Sequence, residues 1–285
     1  MRNHPTTPFT LVLGSGGVKS IAGLGALQVL EEAGLRPAAV AGCSAGALFG
    51  ALVAAGHGSQ QAIAMATRLW SREITSQRRH RALLQVVLPR LAGFDDGFAL
   101  RDDSLIMARL HQAFGDARIE DLALPLRIHA TDAVSGAAVV LQQGSLVQAL
   151  RASIALPFLF APQPWQGRLL VDGSLSDPLP VADTPPQHIG VALGFRVPFP
   201  QRAHSVSRLA TRVTAALSNN LLDARLAAAD PKRLVLMLPE LPRRIGLFDT
   251  EAMPDLIAIG RAAALAALPR LRQLLGPPLR LAAIA

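Results

Sequence analysis

The sequence predicts an α/β protein built around a mainly parallel sheet. Two β-loop-α units fall within the first 56 residues, and short apolar runs recur beyond them between helical stretches. Residues 9–13 (FTLVL) read as a buried strand and residues 14–20 (GSGGVKS) as a loop. Residues 21–33 carry helical spacing, with Gly34 where a helix C-cap is expected. A second strand spans 40–43, and a small-residue helix over 45–56 ends in Gly56. Residues 60–118 read as helical, with a basic cluster at 77–81 and a turn at 93–97; this stretch is expected to be a lid or an inserted helical layer. Strands are predicted at 125–130, 138–142, 168–171, 188–195 and 233–238, with a helix at 145–153. A helical part is expected from about residue 205, its last section rich in Ala and Leu from about 251. No repeat, low-complexity tract or linker interrupts the chain, so a single domain over 1–285 is the simplest expectation.

Composition narrows the class. Of 285 residues, 51% are hydrophobic and 17% charged, which suits a large core and excludes a disordered composition. The net charge is +8, nearly all of it from arginine, since Lys19 and Lys232 are the only lysines. No nucleic-acid-binding motif accompanies that charge, so no nucleic acid partner is expected. Cys43 is the only cysteine, which rules out an intramolecular disulfide and any metal site built from several cysteines. The first residues lack the apolar run of a signal peptide, and no long apolar stretch free of charge or proline is found. A cytoplasmic protein is the expectation.

The chemistry concentrates at a few turns. Gly42-Cys43-Ser44-Ala45-Gly46 matches G-x-S-x-G between a predicted strand and a predicted helix. There a strand must reverse sharply into a helix. The small residues two before and two after the serine let the turn close, and its Oγ projects beside the helix N-terminus. Cys43 beside it is expected to be a packing residue. Gly14-Ser15-Gly16-Gly17-Val18-Lys19-Ser20 departs from a dinucleotide fingerprint, since Lys19 stands where the third glycine belongs and no acidic residue ends the second strand. It also lacks the G-K-[ST] of a phosphate loop. The alternative is an oxyanion hole, in which glycines let backbone N–H groups approach a developing oxyanion. Lys19 would then bind a lipid phosphate, brace the loop through a carboxylate, or lie exposed on a helix.

A serine nucleophile needs a base. An α/β-hydrolase triad would use His188 or His204 after Asp172, but that fold places several strands before its serine, and here the elbow arrives by residue 44. Asp172 is the better candidate, because it ends a buried strand and opens the turn-rich stretch 172–178.

Taken together these residues resemble the patatin-like phospholipase family. The glycine loop Gly16-Gly17-Val18-Lys19, the elbow Gly42–Gly46, the segment Ala152-Ser153-Ile154-Ala155-Leu156-Pro157, and Asp172-Gly173-Ser174 followed by Pro180 occur in the family's order over nearly the first 180 residues. The resemblance implies a three-layer α/β/α fold and a Ser-Asp dyad without a catalytic histidine. It implies hydrolysis of acyl esters, in phospholipids or other lipids, with no metal and no cofactor. By position, Ser44 is the nucleophile, Asp172 the proton acceptor, and the N–H groups of Gly16 and Gly17 the oxyanion donors. Ser15, Ser20 and Ser174 replace smaller residues of the family pattern, so loop strain is an expectation wherever positive φ is needed. A soluble ester or thioester hydrolase, and a weakly active binding protein, are the two alternatives. Peripheral membrane contact would fall to the basic stretch 77–81 or to the C-terminal helix, although that helix is expected to be split by Pro269 and to cover the sheet.

Overall fold

A computed structural model describes residues 7–75, 79–199 and 205–276. The elements in chain order are β1 (Phe9–Leu13), α1 (Ala22–Glu32), β2 (Ala39–Cys43), α2 (Ala45–Ala54), α3 (Ser59–Leu69), α4 (His80–Val87), α5 (Pro89–Ala92), α6 (Ser104–Phe114), β3 (Leu126–Asp132), β4 (Ala138–Leu141), α7 (Leu146–Ser153), β5 (Gln163–Trp165), β6 (Arg168–Asp172), β7 (Ile189–Leu193), α8 (Val206–Ala227), β8 (Leu234–Met237) and α9 (Met253–Leu275). The strands form one sheet in the order β5-β6-β3-β2-β1-β7-β8, with β4 also paired to β3. Its centre, β3-β2-β1-β7-β8, is parallel, and the pairs β3–β4, β3–β6 and β5–β6 are antiparallel.

Strand periodicity builds the layers. Along β1, Phe9, Leu11 and Leu13 face one core with α1, α2, α3, α6, α7 and α9, while Val12 faces a smaller core closed by Leu179, Val181 and Leu222 of α8. Helices on both faces of the sheet give the three-layer arrangement. Within the helical stretch 60–118, α3 and α6 belong to the main core through Ala62, Ala66, Ile106 and Leu110, and only α4–α5 expose a run of large apolar side chains.

Three expectations change. Half of the loop at 14–20 is a 3-10 turn, Gly17–Ile21, leading directly into α1. The strand β5 was not legible in QPW, which is short and carries a proline. The helix α9 runs through Pro269 unbroken. Proline there cannot donate to the carbonyl of Leu265, but Leu265 is 54% exposed, so that carbonyl can accept from solvent instead. With the turn before it, α9 is long and apolar enough to cross a membrane by length and composition alone, although it carries charges and prolines. It packs on α1, where Gly25 and Gly260 bring the two backbones close, and it buries Leu256, Ala264 and Leu271.

Candidate active site

The sheet brings the predicted residues to one edge. Ser44 follows β2 and caps α2 with φ 55° and ψ −129°, a strained conformation for a residue with a Cβ. The turn closes only because its flanks are small: a Cβ on Gly46 would lie 2.3 Å from the carbonyl oxygen of Leu13. The Ser44 N–H donates to Ser153 Oγ at 2.8 Å, and Ser153 Oγ donates to the carbonyl of His129 at 2.6 Å, so the end of α7 braces the elbow against β3.

Asp172 reaches the same edge by a route the sequence did not disclose. A C-terminal strand end in a parallel sheet was expected, but β6 is antiparallel to β3. It enters from beyond the end of β3, so that Asp172 pairs with Ala130, next to the His129–Cys43 pair. Its last residue is thus level with Ser44. Asp172 Oδ2 accepts from Ser44 Oγ at 2.7 Å, and Oδ1 accepts from the Ser174 N–H at 2.9 Å. Its backbone is clamped as well: the Asp172 N–H donates to the Ala155 carbonyl, and Thr131 Oγ1 donates to the Asp172 carbonyl. Only 2% of Asp172 is exposed. Burial raises its pKa above the usual aspartate value, and the hydrogen bonds from Ser44 and Ser174 work against that rise.

The glycine loop faces Ser44 across the cleft. Gly14, Ser15 and Val18 give their N–H groups to the carbonyls of Leu193, Pro178 and Leu247. Among the described residues the N–H groups of Gly16 and Gly17 have no acceptor, and both residues line the cleft with Ser44. Gly17 has φ +61°, and a Cβ there would lie 2.5 Å from the Leu247 carbonyl oxygen. Ser15, Ser20 and Ser174 all avoid positive φ, so the expected loop strain is not realised. Ser20 Oγ in fact donates to the Gly14 carbonyl at 2.8 Å. Gly17→Ala is expected to destabilise the protein by about 1–3 kcal/mol and to slow any reaction at Ser44; thermal denaturation and ester turnover check both.

The rival groups lie elsewhere. Burial, then the nearby carboxylates of Asp172 and Asp177, push the Cys43 thiol well above its ordinary pKa, so it stays protonated. His129 Nε2 lies 2.6 Å from Asp183 Oδ2, away from the cleft lining. His188 precedes β7, at the opposite end of the sheet from Ser44, and its Nδ1 lies 2.9 Å from Thr10 Oγ1. His204 lies outside the described residues, as do Gln77 and Arg78 of the basic stretch. Among the described residues that line the cleft, none is a histidine.

The cleft has a volume of about 400 Å³ and largely apolar walls, including Trp70, Leu156, Phe160, Phe195 and Phe248. Lys19 is buried rather than exposed, with 7% of its surface accessible, and it lines the cleft together with Arg244. Burial and then the Arg244 charge lower its pKa. No carboxylate braces it among the described residues, which removes that expectation. Sequence motifs gave no sign of Arg244 or of the Leu247 carbonyl, which accepts from Val18 N–H and Trp70 Nε1, because both lie far along the chain from the loop they support.

Residues 11–184 of the 285 match the model of the patatin-like phospholipase family. The chain belongs to that family. An uncharacterized NTE family protein of Mycobacterium tuberculosis is 35% identical over 182 residues, covering 64% of this chain and 47% of the relative. Human patatin-like phospholipase domain-containing protein 6 is 34% identical over 174 residues, covering 60% of this patatin-like chain and 12% of the relative. The chain therefore spans less than half the length of these curated relatives. Among solved structures, VipD from Legionella pneumophila aligns with a TM-score of 0.51 at 15% identity, covering 94% of this chain and 67% of that one. That likeness is one of fold.

Proposed function

We propose that the protein is a serine acyl hydrolase that cleaves phospholipid or other lipid esters through a Ser44–Asp172 dyad. The observation that carries this is the 2.7 Å Ser44–Asp172 hydrogen bond, facing the two unpaired N–H groups of Gly16 and Gly17 across an apolar cleft. Asp172 Oδ2 takes the Ser44 proton as Oγ attacks the ester carbonyl carbon. The oxyanion is received by the N–H groups of Gly16 and Gly17, each such donor being worth about 3 kcal/mol in the transition state. Asp172 then protonates the departing alcohol, leaving an acyl-enzyme on Ser44. In the second half Asp172 deprotonates water, which attacks the acyl carbon. Ser44 leaves with the proton returned from Asp172, and the fatty acid is released. The raised Asp172 pKa supports this assignment, because a stronger base accepts the serine proton more readily. Gly42, Gly46 and Gly173 serve the site by close packing, and Ser174 by holding Asp172 Oδ1. The family relatives named NTE and phospholipase point to the same ester chemistry.

Lys19 and Arg244 favour phospholipids over uncharged esters. Two cations beside the oxyanion loop, with no acidic group but Asp172 among the described residues lining the cleft, suit a phosphate. Lys19→Met is expected to lower kcat/KM for dispersed phosphatidylglycerol about tenfold or more relative to a nitrophenyl ester, in keeping with a charge-assisted hydrogen bond. Steady-state kinetics on the two substrates measure that ratio. The hydrolase assignment itself is tested by turnover of the nitrophenyl ester: no hydrolysis by the purified parent, or full hydrolysis by Ser44→Ala, refutes it.

A further inference from the structure

Three segments that line the cleft or are tied to its wall carry apolar side chains that face solvent. On one side, α4–α5 and the turn after it expose Leu84, Val87, Leu88, Leu91 and Phe94, with Leu91 86% accessible. Phe158 is 73% exposed and has φ +66°, a conformation unusual for a bulky residue. Its neighbours Leu156, Leu159 and Phe160 line the cleft, so the bend carries one ring outside while its flanks form the wall. Backbone bonds tie this bend to α4: Leu100 N–H donates to the Phe158 carbonyl at 2.8 Å, and Arg79 N–H donates to the Leu100 carbonyl at 3.1 Å. On another side, α8 lines the cleft with Thr211, Thr214 and Ser218 while Val206, Leu209, Val213 and Leu217 form an exposed stripe at helical spacing.

Within these segments the charge has one sign. Residues 79–94 contain Arg79, Arg81 and Arg90 and no acidic residue; residues 205–222 contain Arg208 and Arg212 and no acidic residue. Asp95, Asp96 and Asp223 come only after these segments. By contrast, α9 has spent its apolar side on α1, and among its described residues Leu265 alone is an exposed large apolar side chain.

We propose that α4–α5, the Phe158 bend and the outer stripe of α8 form a docking face for an anionic lipid surface, rather than the C-terminal helix. The inference rests on the acyl-hydrolase assignment for its direction: two of the three segments, the Phe158 bend and α8, also line the cleft that leads to Ser44. Apolar side chains enter the acyl boundary while arginines meet lipid phosphates, so a lipid passes from the surface into the cleft with little contact with water.

The test is vesicle flotation with Ser44→Ala protein, which binds without turnover. Vesicles of equal parts phosphatidylcholine and phosphatidylglycerol are compared with vesicles of phosphatidylcholine alone. The expected result is co-flotation with the mixed vesicles, weaker with phosphatidylcholine. Adding Leu91→Asp or Phe158→Asp weakens it about tenfold, whereas Leu265→Asp on α9 leaves it unchanged. All three positions are exposed, and thermal melts confirm that each variant is folded. Absence of co-flotation, equal binding to both vesicle types, or an equal loss with Leu265→Asp overturns the proposal. So does a parent that is a dimer, binds no vesicles, and is made monomeric by Phe158→Asp. Ester turnover by the parent is measured separately, so a failure of the hydrolase assignment is distinguishable from a failure of the docking face.

Discussion

Ser44→Ala is expected to lower ester turnover by on the order of 10⁴–10⁶-fold while the protein keeps its fold. The loss follows from removal of the hydroxyl bonded to Asp172 Oδ2, which the neighbouring Cys43 thiol, buried and held protonated, does not replace. Stability should fall only modestly at neutral pH, because the substitution keeps the small Cβ the turn already accommodates but removes the hydrogen bond that helps hold the buried Asp172 carboxylate. The strained φ of 55° remains in the variant, so strain relief adds nothing. A parallel measurement of kcat on a nitrophenyl ester and of the melting temperature separates loss of chemistry from loss of structure.

Asp172→Asn is expected to lower turnover about 10²–10⁴-fold, the usual contribution of a positioned general base, and to raise the melting temperature at neutral pH. The two effects have one cause. Burial raises the Asp172 pKa, so the folded protein binds that proton more tightly than the unfolded chain does. Its stability contribution is therefore full below the unfolded pKa and is lost as pH rises through the folded one. At neutral pH the ionised carboxylate is a net cost, partly offset by Ser44 and Ser174, and asparagine removes it. Turnover runs the other way: it needs the carboxylate, and falls as pH drops through a pKa higher than that of an ordinary aspartate. The acidic limb of the parent's kcat/KM profile, together with melts of both proteins across the same pH range, checks the sign of each.

Much of this site is local in sequence, and that is why it was legible. Strand, glycine loop and helix, then strand, elbow and helix, are each set by a few adjacent residues whose small size the turns demand. Ser44 and Gly17 occupy the special backbone conformations that G-x-S-x-G and the glycine pair suggest. Asp172 was legible as a residue but not as a position, since the antiparallel entry of β6 depends on pairing with β3 rather than on any signal within RLLVD. Lys19 was misjudged in one alternative because solvent exposure on a short turn depends on what packs over it, here the segment around Arg244 and Leu247. The continuity of α9 through Pro269 depends on which face of the helix meets water, which composition alone does not disclose.

The dyad itself is tested most directly by fluorophosphonate labelling followed by peptide mapping of the adduct. The expected result is a single adduct on the peptide containing Ser44, absent from Ser44→Ala and formed far more slowly in Asp172→Asn, with His188→Ala labelling at the parent's rate. Labelling that persists in Ser44→Ala, or that survives Asp172→Asn but is lost in His188→Ala, would contradict it.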